Sequence, residues 1–496
     1  MPSFIPNEST FTPTLSLPLC VDLDGTLIKS DTLVDSVLVL ARQHPRLLLS
    51  IPGWILKGKA SFKQHVTNTI SLDVSALPYN KPLLEFLFNQ HAQGRAIYLA
   101  TAADRALADR IAAHHQIFTG VLASDGSHNL AGDNKYQAFI QQFGEQFSYI
   151  GNASPDLPIL TRCIEPMVAN PTSSLSAGLR SAHITPAHLF MDRANPAKAW
   201  LRAIRLHQWA KNVLIFLPLL LAHAWSVSHF AGSILAFLAF GLCASATYIV
   251  NDLLDLEADR RHHRKRRRPF AAGDLSAMSG CLIVVSFLAA AAALALLLPQ
   301  VVGPFGSPLQ HPFRFANWLL LYAVTTTAYS LKLKRVVLLD VIILSGLYTV
   351  RIIAGSGATG IEVSKWLAGF SIFFFLSLAF VKRFAELESL RLRGAAPANG
   401  RGYLISDIEQ LRSFGTASAY ASVVVLTLYI SDLDTALYKH PGRLWLLVPV
   451  LLLWLSRLWL QASRGELDED PVVYAITDKR SLLLGLAVVG IVVSAL

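Results

Sequence analysis

Cysteine and charge are both scarce in this chain. Its four cysteines (Cys20, Cys163, Cys243 and Cys281) among 496 residues show no paired or metal-type spacing. That excludes a disulfide framework and a thiolate metal centre, and leaves buried, reduced thiols. Charged residues make up 15% against 53% hydrophobic, a balance that points to a membrane protein over at least part of the length. No internal repeat or low-complexity tract stands out. A secretory leader is also missing: residues 1–16 are polar, rich in Pro, Thr and Ser, and have no basic n-region. They are expected to form a disordered tail, and the domain that follows is expected to stay in the cytoplasm. The net charge of +10 does not argue for nucleic acid, because the basic residues concentrate between apolar runs, where they set membrane topology.

The apolar residues are unevenly placed. Residues 1–200 have the turns and charges of a soluble domain, and from about residue 212 apolar stretches follow one another to the C-terminus. Nine spans are expected, at roughly 212–230, 232–250, 279–298, 316–330, 337–355, 366–381, 416–431, 443–461 and 482–496. With the N-terminus inside, the loops 251–278, 331–336, 382–415 and 462–480 are cytoplasmic and strongly basic, whereas each outer loop carries one cation (Arg314, Lys365 or Lys439).

The segment Asn251-Asp252-Leu-Leu-Asp255-Leu-Glu-Ala-Asp259 closes one apolar run and leads into the basic stretch 260–268. On a continuous helix Asn251, Asp255 and Asp259 share one face, with Asp252 nearby. Such a cluster beside a bilayer is costly unless it holds cations. Its oxygen ligands suit Mg²⁺ bridging a diphosphate, and the adjacent arginines suit phosphate oxygens. Asp340 and Arg351 fall near or inside the membrane, where an ionisable group has a task or a partner. Lys211 and Asn212 precede the first span; they can hold a phosphate, while Trp209 beside them also fits an interfacial anchor. Lys332 reads equally well as part of a topogenic turn, and Asp468, Glu469 and Asp470 as a solvated loop or a lid.

These motifs, with Arg268-Pro269-Phe-Ala271-Ala-Gly273 and Tyr329-Ser-x-x-x-Lys334-Arg335, resemble the UbiA superfamily of intramembrane prenyltransferases over residues 198–496. The resemblance implies a nine-helix all-α bundle with a polar cavity open to the cytoplasm, in which Mg²⁺ held by Asp-rich motifs grips a diphosphate. The loop after the sixth span departs from the common second acidic motif and offers Lys382-Arg383 and Glu386 instead. With Gln208-Trp209-x-Lys211-Asn212, this is similar to the decaprenyl-phosphate phosphoribosyltransferase branch. The implied substrates are phosphoribosyl diphosphate and a polyprenyl phosphate. Asn251, Asp252, Asp255 and Asp259 would hold the metal, with Asp252 and Asp255 catalytic. Lys211, Asn212, Arg268, Tyr329, Lys334, Arg335, Asp340, Arg351, Lys382 and Arg383 would line the substrates. The alternative is a prenyl transfer from a prenyl diphosphate to an aromatic acceptor, with an unrelated fused phosphatase.

In the N-terminal half, Leu19-Cys-Val-Asp22-Leu-Asp24-Gly-Thr26, Ile97-Tyr-Leu-Ala-Thr101, Lys135 and Phe147-Ser-Tyr-Ile-Gly-Asn152-Ala-Ser-Pro-Asp156 occur in that order. Three are apolar strands ending in polar groups, the place where parallel α/β sheets bind ligands. Together they resemble the haloacid dehalogenase (HAD) phosphatase superfamily over about residues 17–180. That resemblance implies Asp22 as nucleophile, Asp24 as acid/base, and Thr101 and Lys135 as phosphoryl ligands. It also implies Mg²⁺ at Asp22, Asp156 and the Asp24 carbonyl. Asn152 stands where the family often has Asp. About seventy residues between the first two motifs leave room for a small helical cap, and 181–200 is expected to be a linker before the membrane domain at 201–496.

Overall fold

The computed structural model describes residues 17–125, 130–302, 311–392, 402–432, 438–467 and 471–496. The expected tail 1–16 and the acids Asp468, Glu469 and Asp470 lie outside them. The chain forms two compact units, Met1–Ile204 with Tyr248–Ile283, and Arg205–Thr247 with Val284–Leu496.

The first unit is built on a six-stranded parallel sheet of order β3-β2-β1-β4-β5-β6, formed by β1 (Leu19–Val21), β2 (Ile97–Asp104), β3 (Gly120–Ser124), β4 (Ser148–Gly151), β5 (Glu165–Ala169) and β6 (His188–Phe190). The strands are apolar because both faces are covered. Leu19 and Val21 enter one core with Ile97, Leu99 and Ile150, while Cys20 enters the other with Phe139, Phe147 and Tyr149. The two-residue alternation of a strand gives this division. β1 lies between β2 and β4, so the strand order reverses about β1, and polar groups at its C-terminal end face the crevice where such sheets bind ligands. The residues between β1 and β2, expected to form a small helical cap, are helical, with helix α1 (Thr32–Gln43) and the helices Ile51–Leu56 and Lys59–Thr69. Helix α1 begins at the N-cap Asp31, whose carboxylate accepts from the Leu33 and Val34 amides at 2.9 and 3.1 Å. Within residues 45–57, Leu47, Ile51 and Trp54 pack against the core that also holds Leu19, Val21, Ile97 and Leu99.

Two sequence boundaries move. β6 lies inside the segment expected to be a linker and extends the sheet by pairing with β5. The acidic motif and its basic continuation, expected with the membrane domain, fold as part of the first unit.

The second unit is helical. Its core joins Val341 and Ile352 to Phe375, Leu378, Phe384, Leu455 and Trp459. Gly355 permits a close approach, since a Cβ there would lie 2.1 Å from the Ile215 carbonyl oxygen. Among the described residues, six helices are long and apolar enough to cross a membrane: Val227–Leu254, Ala277–Val302, Leu339–Thr359, Lys365–Leu392, Ile405–Ser431 and Pro441–Ser463. The expected count of nine spans is not confirmed among the described residues. The stretch 212–230 is broken into a 3₁₀ segment, Leu206–Phe216, and a short helix, Leu217–Leu221. Arg314–Leu331 and Lys479–Ala495 are helices of 18 and 17 residues that are not among the six. Leu282, Val285, Leu296 and Leu297 are exposed along one helix, which fits a surface facing lipid rather than water.

Candidate functional site

Two polar centres lie in the first unit. At the first, Asp22 follows β1 directly and Gly25 turns the chain with φ +77°; a Cβ there would sit 2.0 Å from the Asn152 side-chain nitrogen. The sheet then brings the distant motifs together. Lys135 Nζ donates to Asp22 Oδ1 at 2.7 Å and lies 3.9 Å from Asp156 Oδ1. The Thr26 hydroxyl donates to Asp22 Oδ2 at 3.2 Å. Asp156 Oδ2 accepts from the Asn152 and Ala153 amides at 3.0 and 3.1 Å. The Thr101 hydroxyl accepts from the Ala103 amide at 2.9 Å, at an irregularity in the β2–β3 ladder. Asp24 Oδ1 accepts from the Thr32 amide at 2.8 Å.

Burial is the main cause that pushes Asp22 up to about 6, opposed by the Lys135 charge. Burial, then the Asp31 charge, pushes Asp24 up to about 7. Burial by itself would lower Lys135, but the charges of Asp22 and Asp156 outweigh it and hold the ammonium above its ordinary value. A neighbouring cavity of about 200 Å³ is lined by Asp24, Asp31, Thr32, Lys63, Thr67 and Asp104. Tyr149 was not singled out in the sequence. Its hydroxyl donates to Asp156 Oδ1 at 2.6 Å and accepts from Lys135 at 3.2 Å; its place two residues before Gly151 gave no polar signal, since it reads as strand core.

At the second centre, the expected single acidic helix is interrupted. The helix Val227–Leu254 ends before Asp255, which is N-cap of the short helix Leu256–Arg261. The break sorts the carboxylates. Arg268 Nη1 donates to Asp252 Oδ1 at 3.0 Å and to Asp259 Oδ2 at 2.7 Å. Asp255 instead pairs with Arg42 of helix α1. Burial raises Asp259, opposed by Arg268. Asn251 is half-buried on the last turns of the preceding helix. Within the basic run, Arg260 is buried and makes a 2.8 Å ion pair with Asp35.

Among the described residues, no three carboxylate, imidazole or thiolate side chains surround one point as a ready-made metal site. Lys135 serves Asp22 and Asp156 at one centre, and arginines serve the acids at the other. The donor chemistry nevertheless suits a hard divalent cation. Both sets are oxygen ligands, and at the first centre two carboxylates, Asp22 and Asp156, share one ammonium, so added positive charge would relieve the burial of Asp22.

Within the second unit the remaining candidates form two clusters. Arg383 Nε donates to Asp340 Oδ2 at 2.5 Å, and its other nitrogens to Glu386 at 2.6 Å and the Tyr329 hydroxyl at 3.2 Å. The Tyr403 hydroxyl also donates to Asp340. Among the described residues, Arg351 has no carboxylate partner. Its Nε donates to Asn212 Oδ1 at 2.9 Å and its Nη2 to the Tyr322 hydroxyl at 3.1 Å, while Lys211 lies 5.4 Å over the Tyr348 ring. Lys334 and Arg335 sit in a 3₁₀ turn, Leu333–Arg335, and Lys382 is half-buried beside Arg383. Trp209 donates to the Ser245 hydroxyl at 3.0 Å and packs on Gly241, so it is tied into the bundle rather than only anchored at an interface.

The chain thus joins a parallel α/β unit, which includes the acidic motif, to a helical unit with helices long and apolar enough to cross a membrane. The UbiA prenyltransferase family matches residues 212–483, and the chain belongs to that family. An uncharacterized protein, y4nM, from Sinorhizobium fredii is 39% identical across 97% of this chain and 91% of its own length. A decaprenyl-phosphate phosphoribosyltransferase from Mycobacterium tuberculosis is 32% identical over 61% of this chain and 95% of its own. A HAD family hydrolase from Salmonella enterica serovar Typhi is similar to 35% of this chain and 66% of its own, at 15% identity and a TM-score of 0.26.

Proposed function

We propose that the chain transfers 5-phosphoribose from phosphoribosyl diphosphate to a polyprenyl phosphate, and that its α/β domain, on the cytoplasmic side, hydrolyses a phosphate ester, the 5-phosphate of that product. The observation that carries the transfer is the 32% identity to decaprenyl-phosphate phosphoribosyltransferase, which extends over 95% of that protein. Support for the hydrolysis comes from the Asp22, Thr101, Lys135 and Asp156 arrangement at the C-terminal edge of the sheet.

In the transfer, a lipid phosphate oxygen attacks C1 of the ribose as the bond from C1 to the diphosphate oxygen breaks, and pyrophosphate leaves. The nucleophile is already an anion, so the reaction needs charge stabilisation rather than a strong base. Mg²⁺ held by Asn251, Asp252, Asp255 and Asp259 would neutralise the leaving group when bound. Arg268 positions Asp252 and Asp259, and Lys211, Lys334 and Arg335 supply further cations for phosphate.

In the hydrolysis, Asp22 attacks phosphorus and becomes an aspartyl phosphate while the ester oxygen departs with a proton from Asp24. Water then cleaves the acyl phosphate as Asp24 takes its proton. Mg²⁺ at Asp22, Asp156 and the Asp24 carbonyl would offset the phosphoryl charge. A carboxyl held near 7 is suited to give a proton and take it back near neutrality. Fusion in one chain raises the effective concentration of the second activity at the product of the first, and removing the phosphate draws the transfer forward.

Mass spectrometry of lipids made by the wild type, Asp22→Asn and Asp252→Asn tests this reading. Asp22→Asn is expected to accumulate the phosphorylated lipid sugar, and Asp252→Asn to make neither form. Absence of any lipid-linked pentose from the wild type supplied with phosphoribosyl diphosphate and a polyprenyl phosphate would remove it.

A further inference from the structure

We infer that Arg42, carried by the α/β domain, is a diphosphate-binding residue of the transferase centre; this rests on reading the acidic motif as a diphosphate site. Arg42 stands in the last turn of helix α1. Its guanidinium pairs with Asp255 and donates to the Leu254 carbonyl at 3.0 Å. Thus Arg42 meets the motif where the long helix ends, while Arg268 pairs with Asp252 and Asp259.

The position of Arg42 is fixed by buried contacts rather than by its own ion pair. Arg260 reaches from the motif's basic continuation to Asp35 on helix α1 at 2.8 Å, to the Ser30 hydroxyl at 3.1 Å and to the Ala271 carbonyl at 3.3 Å. The Arg260 and Asp35 side chains are 5% and 1% exposed, whereas Arg42 keeps 35%. Arg260 therefore clamps the helix, and Arg42 is the cation left at the solvent-reachable edge of the centre.

Two guanidiniums thus flank three carboxylates, Arg268 on Asp252 and Asp259 and Arg42 on Asp255. Carboxylates and a diphosphate repel one another, so both need cations. When a divalent ion takes over the carboxylates, the guanidiniums can turn to the phosphate oxygens, which they grip in a planar, two-pronged fashion. A purely structural Arg42–Asp255 pair would take no part in that exchange.

The two roles differ in sign. Isothermal titration of the full-length protein in detergent, with Mg²⁺ alone and with Mg²⁺ plus inorganic pyrophosphate, separates them. Arg42→Gln is expected to weaken pyrophosphate binding at least tenfold while leaving Mg²⁺ alone bound as well as or more tightly than in the wild type. Arg42→Lys, which keeps the charge but not the fork, should fall between. Arg46→Gln, an exposed neighbour, should match the wild type. With the diphosphate substrate, KM should rise at least tenfold in Arg42→Gln and kcat should change less. Pyrophosphate affinity within twofold of the wild type would overturn the proposal, as would an equal loss of affinity for Mg²⁺ alone with a lowered melting temperature. Should the wild type accept only a prenyl diphosphate, the donor reading fails while the pyrophosphate titration still decides the role of Arg42.

Discussion

Asp340 and Arg383 form an ion pair inside the helical unit, with side chains 0% and 2% exposed and 2.5 Å between Oδ2 and Nε. Sequence reading assigned both to substrate. Their first partner is each other, with Tyr329, Glu386 and Tyr403 completing the network. Arg383→Met leaves a buried carboxylate and is expected to destabilise the unit by about 3–5 kcal/mol, whereas replacing both members with leucine should recover most of that. Thermal unfolding of the detergent-purified single and double variants measures the difference.

Asp24 is expected to act through leaving-group protonation. Asp24→Asn should lower phosphatase turnover by roughly 10²–10⁴-fold on an alkyl phosphate. In the first-turnover burst of alcohol or p-nitrophenol, which reads only the step that forms the aspartyl phosphate, the loss should be much smaller for p-nitrophenyl phosphate, whose leaving group needs little protonation. Equal losses on both substrates would place Asp24 outside the proton transfer.

Burial, then the neighbouring His114, pushes His115 down to about 4 from 6.5. Between those values the unfolded chain binds a proton that the folded chain does not. Stability from this group is therefore complete above pH 6.5 and lost as pH falls towards 4. Hydrogen exchange of the helix Arg105–His115 should quicken over that window, and His115→Gln should flatten the dependence.

Removal of divalent ions is expected to stop both activities, since each centre sets oxygen ligands against phosphate charge. After chelation, added Mg²⁺ should restore lipid-sugar formation and phosphate release. Transfer that persists in excess chelator would detach the acidic motif from a metal.

The membrane character, the parallel sheet and the polar ends of β1, β2 and β4 were legible because each depends on local pattern: apolar length, two-residue alternation and carboxylates after a strand. The nine spans were less so. Composition marks 212–230 as apolar, but its backbone is broken into a 3₁₀ segment and a short helix that tuck Asn212 against Arg351. The acidic motif was legible as chemistry but not as geometry, since the helix breaks at Asp255, which pairs with Arg42 while Arg268 bridges Asp252 and Asp259. Nothing near Arg42 in the sequence signals that role; it reads as a favourable charge at a helix C-terminus.

Sequence alone determined which segments are apolar, which strands end in carboxylates, and where the acidic and basic runs lie, because these follow from side-chain chemistry read in order. Tertiary structure decided the partners: Lys135 for Asp22, Arg268 for Asp252 and Asp259, Arg383 for Asp340, and the acidic motif within the α/β unit. A buried charge must be neutralised by whatever opposite charge the fold brings within reach, and that neighbour can lie more than a hundred residues away along the chain.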